Sequence, residues 1–169
     1  ASRTINHETH TDDILAILYY LDLHDIILVG HSYGGMVASV VADRARERLS
    51  GLVYLDAFIA EHGKCVFDLR PPEMSEHMLA LAAEKGEGWR IPSNPLPDDT
   101  PQEDIDWIMP RRRMQPIATF QQPAALSADP HTLPTSYIYC TRTGPVDVFG
   151  QFAEQARQRG WPTYDIDAS

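Results

Sequence analysis

The chain has 169 residues, enough for one domain with a sizeable core. Hydrophobic residues make up 43% and charged residues 22%, values typical of a globular protein and not of a disordered one. Asp and Glu (24) outnumber Lys and Arg (14), and the net charge of −10 argues against nucleic acid or an anionic membrane as a partner. Cys65 and Cys140 lack metal-type spacing, so we expect free thiols, no metal site and a cytoplasmic location.

A helix is predicted over residues 6–23. Its apolar residues recur at helical spacing from Ile14 to Leu21, which indicates one buried face that includes Ile17. Thr9 or Thr11 is the expected N-cap.

The next three segments predict an α/β sheet with parallel strands. Residues 25–30 form a short continuous apolar run, which is typical of a strand buried on both faces. Residues 33–49 have helical character, and residues 51–55 form a second buried-strand pattern. Strand, helix and strand at this spacing indicate a right-handed crossover.

The composition changes after residue 58. Of the 13 prolines, 11 lie between Pro71 and Pro134, a density that excludes central strands. We therefore divide the chain into a first core part (1–58), an insertion of short helices (59–133) and a return to the core sheet (134–169). Within the insertion, helices are expected at 73–85 and 102–109. The last part predicts a strand at 136–140, a helix ending at Gly160 and a final strand at 163–166.

The chemistry is expected at residues 30–34, whose sequence Gly-His-Ser-Tyr-Gly fits the nucleophile-elbow pattern G-x-S-x-G. The pattern requires a buried strand before it and a helix after it, and both are predicted here. Ser32 would then project its hydroxyl from a sharp turn that tolerates little beyond glycine at the flanking positions. The backbone N–H of Tyr33 would stabilise a developing oxyanion.

Residues 28–37 (Leu-Val-Gly-His-Ser-Tyr-Gly-Gly-Met-Val) and 52–58 (Leu-Val-Tyr-Leu-Asp-Ala-Phe) resemble the α/β-hydrolase superfamily. Within it, the chain is similar to bacterial carboxylesterases related to plant methylesterases and hydroxynitrile lyases, and the likeness extends through 137–141 and 152–161. The resemblance implies a partial α/β-hydrolase fold with the insertion as a cap over the active site. It also implies a Ser–Asp/Glu–His triad, an acyl-enzyme and no cofactor.

Compared with the family pattern, the sequence looks incomplete. The family's histidine follows the last strand, but the histidines after Ser32 are His62, His77 and His131, all inside the insertion. The pattern would place the histidine just beyond residues 165–169, and further strands before residue 1. We expect a fragment that is truncated at both ends and inactive by itself.

Two aspartates are candidates for the triad acid. Asp147 follows the predicted 136–140 strand, where the family usually carries its acid, although the same spacing suits a helix N-cap. Asp56 ends the strand beside the elbow, where some family members carry the acid instead; the alternative is a hydrogen bond to the following loop. The sequence leaves both open.

Other candidate substrate contacts are His31 and Phe58. His31 lies inside the elbow, but its side chain points away from that of its neighbour Ser32, so a packing role is favoured over a base. Phe58 and Tyr33 follow strand ends and could line an acyl pocket, with core packing as the alternative for both.

The favoured function is hydrolysis of a small-molecule carboxylic ester through an acyl-enzyme at Ser32. A lyase of the hydroxynitrile type is one alternative, and a cap lysine near the site would favour it; the insertion offers Lys64 and Lys85. A non-catalytic ligand-binding module of hydrolase fold is the other alternative. The oligomeric state is left open.

Overall fold

The computed structural model describes residues 2–97, 99–127 and 132–168. In chain order its helices and strands are α1 (His7–Tyr20), β1 (Ile26–Ser32), α2 (Gly34–Arg44), β2 (Leu49–Ala57), α3 (Pro72–Lys85), β3 (Arg90–Ile91), α4 (Gln102–Ile108), β4 (Gln115–Pro116), α5 (Ala118–Gln121), β5 (Thr135–Cys140), α6 (Gly150–Gln158) and β6 (Thr163–Ile166). Short 3₁₀ turns occupy Arg46–Arg48 and Val66–Leu69.

The main sheet confirms the predicted α/β class. Its four strands are parallel and lie in the order β1-β2-β5-β6. The two strands that were predicted to follow the insertion are present as β5 and β6, and they pair with each other in the main sheet. Because all carboxyl ends of parallel strands lie at one edge, the ends of β1, β2 and β5 bring Ser32, Asp56 and the segment after Cys140 to the same side of the sheet.

The first helix differs from its prediction in its cap and in its buried face. Asn6, and not Thr9 or Thr11, is the N-cap, because its side chain accepts a hydrogen bond from the Thr9 amide while the Thr9 hydroxyl accepts one from the Asn6 amide. The fully buried residues include His7 and Thr11, whereas Ile17 and Leu21 are exposed. The helix is therefore rotated relative to the stripe that the apolar spacing indicates.

The prediction that the first strand is buried on both faces is wrong. β1 lies at one edge of the described sheet, and along it Ile27 (63%) and Val29 (56%) are exposed. The opposite face, with Ile26, Leu28 and Gly30, packs toward the helices. A continuous apolar run does not indicate how many neighbours a strand has.

The second helix and the second strand form the centre of the core. Met36, Val40 and Val41 of α2 are fully buried, as predicted from the helical spacing. The helix ends at Arg44 and the chain continues as a 3₁₀ turn, so the predicted 33–49 helix is shortened at its end. β2 extends beyond the predicted 51–55 in both directions and includes Asp56.

Residues 59–133 contain the short helices expected there. α3 and α4 closely match the predicted 73–85 and 102–109, and α3 begins with Pro72 in its first turn, where the missing N–H is not needed. The two-residue pair β3–β4 was not predicted; it joins Arg90–Ile91 to Gln115–Pro116 in antiparallel register. None of the helices in the described ranges has the length and apolar character that a bilayer span demands.

Candidate active site

Ser32 lies on a tight bend between a strand and a helix. It is the last residue of β1, and its φ of 53° is in the left-handed region that non-glycine residues seldom adopt. Tyr33 already has helical angles (φ −55°, ψ −31°), and α2 begins at Gly34. The Ser32 carbonyl accepts a hydrogen bond from the Phe58 amide at 3.2 Å, which ties the bend to the chain that follows β2.

Two glycines, Gly30 and Gly35, allow α2 to approach this bend, and of these only Gly30 belongs to the motif. A Cβ on Gly30 would lie 2.8 Å from the Gly34 carbonyl oxygen, and one on Gly35 would lie 2.1 Å from the Phe58 carbonyl oxygen. A Cβ on Gly34 would have no atom within 4 Å. The expectation that the turn tolerates little beyond glycine at the flanking positions is therefore confirmed for Gly30 and wrong for Gly34. Gly35 is the second position that has no room for a Cβ.

The Tyr33 side chain is packed away from Ser32. Its hydroxyl is 3.0 Å from Nδ1 of His10, and its ring stacks on Phe120 with centroids 5.4 Å apart. The ring is not among the groups that line the cavity beside Ser32. The backbone N–H of Tyr33 remains at the N-terminal end of α2, where the helix dipole favours negative charge.

Ser32 opens into a cavity of about 550 Å³ between the sheet and residues 59–133. Phe58 and Phe149 line it from the core, and Met74 and Met78 of α3 line it from the opposite side. Phe58 was a candidate substrate contact, and it is in the position to be one. His31 is exposed and is not among the lining residues.

Asp56 occupies an irregular point of β2, close to Ser32. His31 pairs with Leu55 and Ser32 pairs with Ala57, so Asp56 is the extra residue of a bulge, with a φ of 42°. One carboxylate oxygen accepts a hydrogen bond from the Cys140 amide at 3.1 Å, and not from the following loop. Burial, opposed by that amide, raises the pKa of Asp56, and the Asp147 charge acts in the same direction as burial.

Asp147 is more exposed than Asp56, and both of its oxygens are engaged. Oδ1 accepts hydrogen bonds from the amides of Phe149 (3.1 Å) and Gly150 (2.8 Å) at the start of α6, and Oδ2 accepts one from the Tyr139 hydroxyl at 2.7 Å. The hydrogen bond to Asp147 raises the pKa of Tyr139 to about 12. These contacts are those of the helix-capping role that the sequence offered as an alternative for Asp147.

The described histidines do not form a dyad with Ser32. Across residues 2–97, 99–127 and 132–168, no hydrogen bond joins the Ser32 side chain to an imidazole. His77 lines the Ser32 cavity from α3, whereas His62 accepts from the Leu126 amide outside it. His131 lies outside the described residues.

Sequence reasoning missed Arg70 and gave His77 no role, and the structure brings both to the cavity. Their positions depend on how α3 and the turn before it fold over the sheet. Residues 74, 77, 78 and 81 recur at helical spacing within α3, which could have indicated their shared face, but Arg70 lies before the helix in extended backbone and has no such signal.

A family model described as the alpha/beta hydrolase family matches residues 2–167. The chain belongs to the alpha/beta hydrolase family. Over 135 residues, this alpha/beta hydrolase is 37% identical to the carbendazim-hydrolysing esterase of Nocardioides sp. (strain SG-4G), an alignment that covers 75% of the chain and 56% of the relative. The chain therefore spans little more than half the length of that curated relative.

Solved structures of hydrolases confirm the fold of this alpha/beta hydrolase. An extracellular α/β-hydrolase from a Paenibacillus species superposes with a TM-score of 0.81 at 21% identity, covering 99% of this chain and 73% of that one. The methylesterase MES16 from Arabidopsis gives 0.61 at 21% identity, covering 97% and 69%. A pyrethroid hydrolase from Sphingobium faniae JZ-2 gives 0.62 at 21% identity, covering 98% and 71%. The expected resemblance to bacterial esterases and plant methylesterases is confirmed.

Proposed function

We propose that this alpha/beta hydrolase contributes the nucleophile of a serine esterase that cleaves small carboxylic esters. The observation that carries the proposal is Ser32, held at φ 53° on the bend between β1 and α2 and facing a cavity of about 550 Å³. A strained residue that lines a cavity is typical of a functional site. The 37% identity to an esterase supports the same reaction class.

In the proposed reaction, the Ser32 hydroxyl attacks the ester carbonyl and transfers its proton to a histidine. The Tyr33 amide donates to the oxyanion of the tetrahedral intermediate, an interaction worth about 3–4 kcal/mol in related chemistry. The histidine then protonates the leaving alcohol, and an acyl-enzyme remains on Ser32. Water, deprotonated by the same histidine, releases the acid and regenerates the serine.

Of the two aspartates, Asp56 is the better candidate to orient that histidine. The structure describes one hydrogen bond to its carboxylate, so it retains acceptor capacity for an imidazole N–H. Asp147 already accepts three hydrogen bonds and holds the start of α6. We therefore assign the acid to Asp56 and a structural role to Asp147.

The proposed substrate is an ester with an apolar acyl or alcohol part, bound under residues 59–133 as a cap. Phe58, Met74, Met78 and Phe149 supply apolar surface around Ser32. Neither Lys64 nor Lys85 lines this cavity, so no observation favours the lyase alternative. A cytoplasmic location remains a prediction that rests on Cys65 and Cys140, both free thiols.

The proposal is tested by hydrolysis of p-nitrophenyl butyrate by the protein that the full open reading frame encodes. We expect a burst of p-nitrophenol followed by turnover, and a loss of at least about 10³-fold in kcat for Ser32→Ala. Ser93→Ala is the matched control, because Ser93 lines the same cavity but donates to the Arg113 carbonyl.

Equal rates for Ser32→Ala and the unaltered protein would overturn the proposal. For the 169-residue chain alone we predict no measurable turnover, because the Ser32 side chain has no described hydrogen bond to a histidine. Turnover that His77→Gln abolishes would contradict this and identify His77 as the base.

A further inference from the structure

Arg70 lines the cavity that contains Ser32 and has no ion-pair partner among the described residues. The chain carries 24 acidic residues against 14 basic ones, so carboxylates are available as partners for its arginines. Arg44 and Arg157, by comparison, each contact carboxylates. A guanidinium stays protonated at neutral pH, so Arg70 brings a full positive charge to a mostly apolar site.

The contacts of Arg70 are poor substitutes for a carboxylate. Its Nη1 donates to the thioether sulfur of Met78, which is a weak acceptor, and its guanidinium lies 6.0 Å from the centre of the Phe58 ring. Its Nε is buried and has no hydrogen-bond partner in the part of the chain that the structure describes. A partly buried charge with an unmet donor has a desolvation cost that a bound anion would offset.

Two other ionisable side chains line the cavity, and both are exposed. Glu73 and His77 belong to α3 and are more accessible to solvent than Arg70. Glu73 is exposed and forms no ion pair with Arg70 among the described residues, and burial, not a neighbouring carboxylate, is what shifts the pKa of Arg70, which it lowers. The part of the cavity nearest Arg70 combines one cation with the aromatic and thioether surface of Phe58 and Met78.

We propose that Arg70 forms a carboxylate subsite in the Ser32 cavity, which binds apolar carboxylic acids through the guanidinium. The apolar body of the ligand would contact Phe58, Met74 and Phe149, while the carboxylate accepts hydrogen bonds from Arg70. For substrates, a consequence that rests on the proposed esterase function is a preference for esters that carry a second, free carboxylate.

The test is calorimetric titration of the 169-residue chain with phenylacetate and with its neutral isostere, phenylacetamide. We expect phenylacetate to bind at least tenfold more tightly, because a charge-assisted hydrogen bond is markedly stronger than a neutral one. Arg70→Met keeps an apolar stem and removes the charge, so it should bring the two affinities to within about twofold of each other. Arg70→Lys should retain part of the preference.

Arg111→Met is the matched control, because Arg111 also stacks on an aromatic ring, 4.5 Å from that of Trp107, but does not line the cavity. It should leave the phenylacetate preference unchanged. Equal binding of phenylacetate and phenylacetamide by the unaltered chain would overturn the subsite, and so would a preference for phenylacetate that survives Arg70→Met. The comparison of the two ligands on the unaltered chain does not depend on whether the variant folds. Ester hydrolysis that depends on Ser32 while the acid preference is absent would leave the proposed function intact and remove only the subsite.

Discussion

Asp56→Asn is expected to lower the kcat of the protein encoded by the full open reading frame by about 10⁴-fold. Replacing the triad aspartate by asparagine in a serine protease has an effect of this size. The asparagine retains an acceptor for the Cys140 amide, which donates to Asp56 at 3.1 Å. It removes the negative charge that would stabilise an imidazolium beside Ser32. Steady-state hydrolysis of p-nitrophenyl butyrate measures the effect.

Asp147→Asn is the matched comparison and should change kcat by less than about tenfold, because it removes no triad charge. Asp147→Ala, which also removes the acceptor for the Phe149 and Gly150 amides at the start of α6, should lower the free energy of unfolding by about 0.5–2 kcal/mol. The reverse pattern, with kcat lost in Asp147→Asn and kept in Asp56→Asn, would make Asp147 the acid.

Thermal stability provides a second readout for Asp56→Asn. The substitution should lower kcat but should raise Tm relative to the unaltered protein as the pH increases. Burial raises the pKa of Asp56 in the folded state, so folding favours the protonated form. The stability contributed by this group is present below the pKa of the unfolded state and is lost as the pH rises through the raised pKa. The Tm of the asparagine variant minus the Tm of the unaltered protein should therefore increase as the pH is raised from acidic to neutral.

The second large effect is expected from Gly35→Ala, which should lower the free energy of unfolding by about 1–3 kcal/mol. Its new Cβ would lie 2.1 Å from the Phe58 carbonyl oxygen, so either α2 or the chain after β2 must shift. Phe58 lines the Ser32 cavity, and its amide donates to the Ser32 carbonyl. Ester hydrolysis should fall together with stability.

Gly34→Ala is the control for this prediction, because no atom lies within 4 Å of the Cβ it would add. Alanine is also the better helix former, so stability should be unchanged or raised by up to about 1 kcal/mol. Urea unfolding of both variants measures the difference. A Gly35→Ala protein as stable as the unaltered one would show that α2 does not pack against Phe58 in this way.

The strand, bend and helix around Ser32 were predictable because their signals are local. The apolar run before Gly30, the glycine pattern and the helical spacing of Met36, Val40 and Val41 all lie within 20 residues, and the structure has each element in place. The position of α3 was predictable for the same reason, and the structure differs from the predicted 73–85 only in that Pro72 is its first residue.

Features that depend on distant partners could not be predicted in this way. The exposure of Ile27 and Val29 follows from the place of β1 in the sheet order, which an apolar run does not encode. The hydrogen bond between the Cys140 amide and Asp56 joins residues 84 positions apart. Arg70 reaches the Ser32 cavity only because α3 and its preceding turn fold over the sheet.

The central claim is that the bend between β1 and α2 presents Ser32 as the nucleophile. The most direct measurement is peptide mapping by mass spectrometry after the protein encoded by the full open reading frame reacts with a fluorophosphonate probe. We predict a single adduct on Ser32 that is absent in Ser32→Ala. An adduct on another residue, or no adduct in a protein that still hydrolyses esters, would contradict the claim.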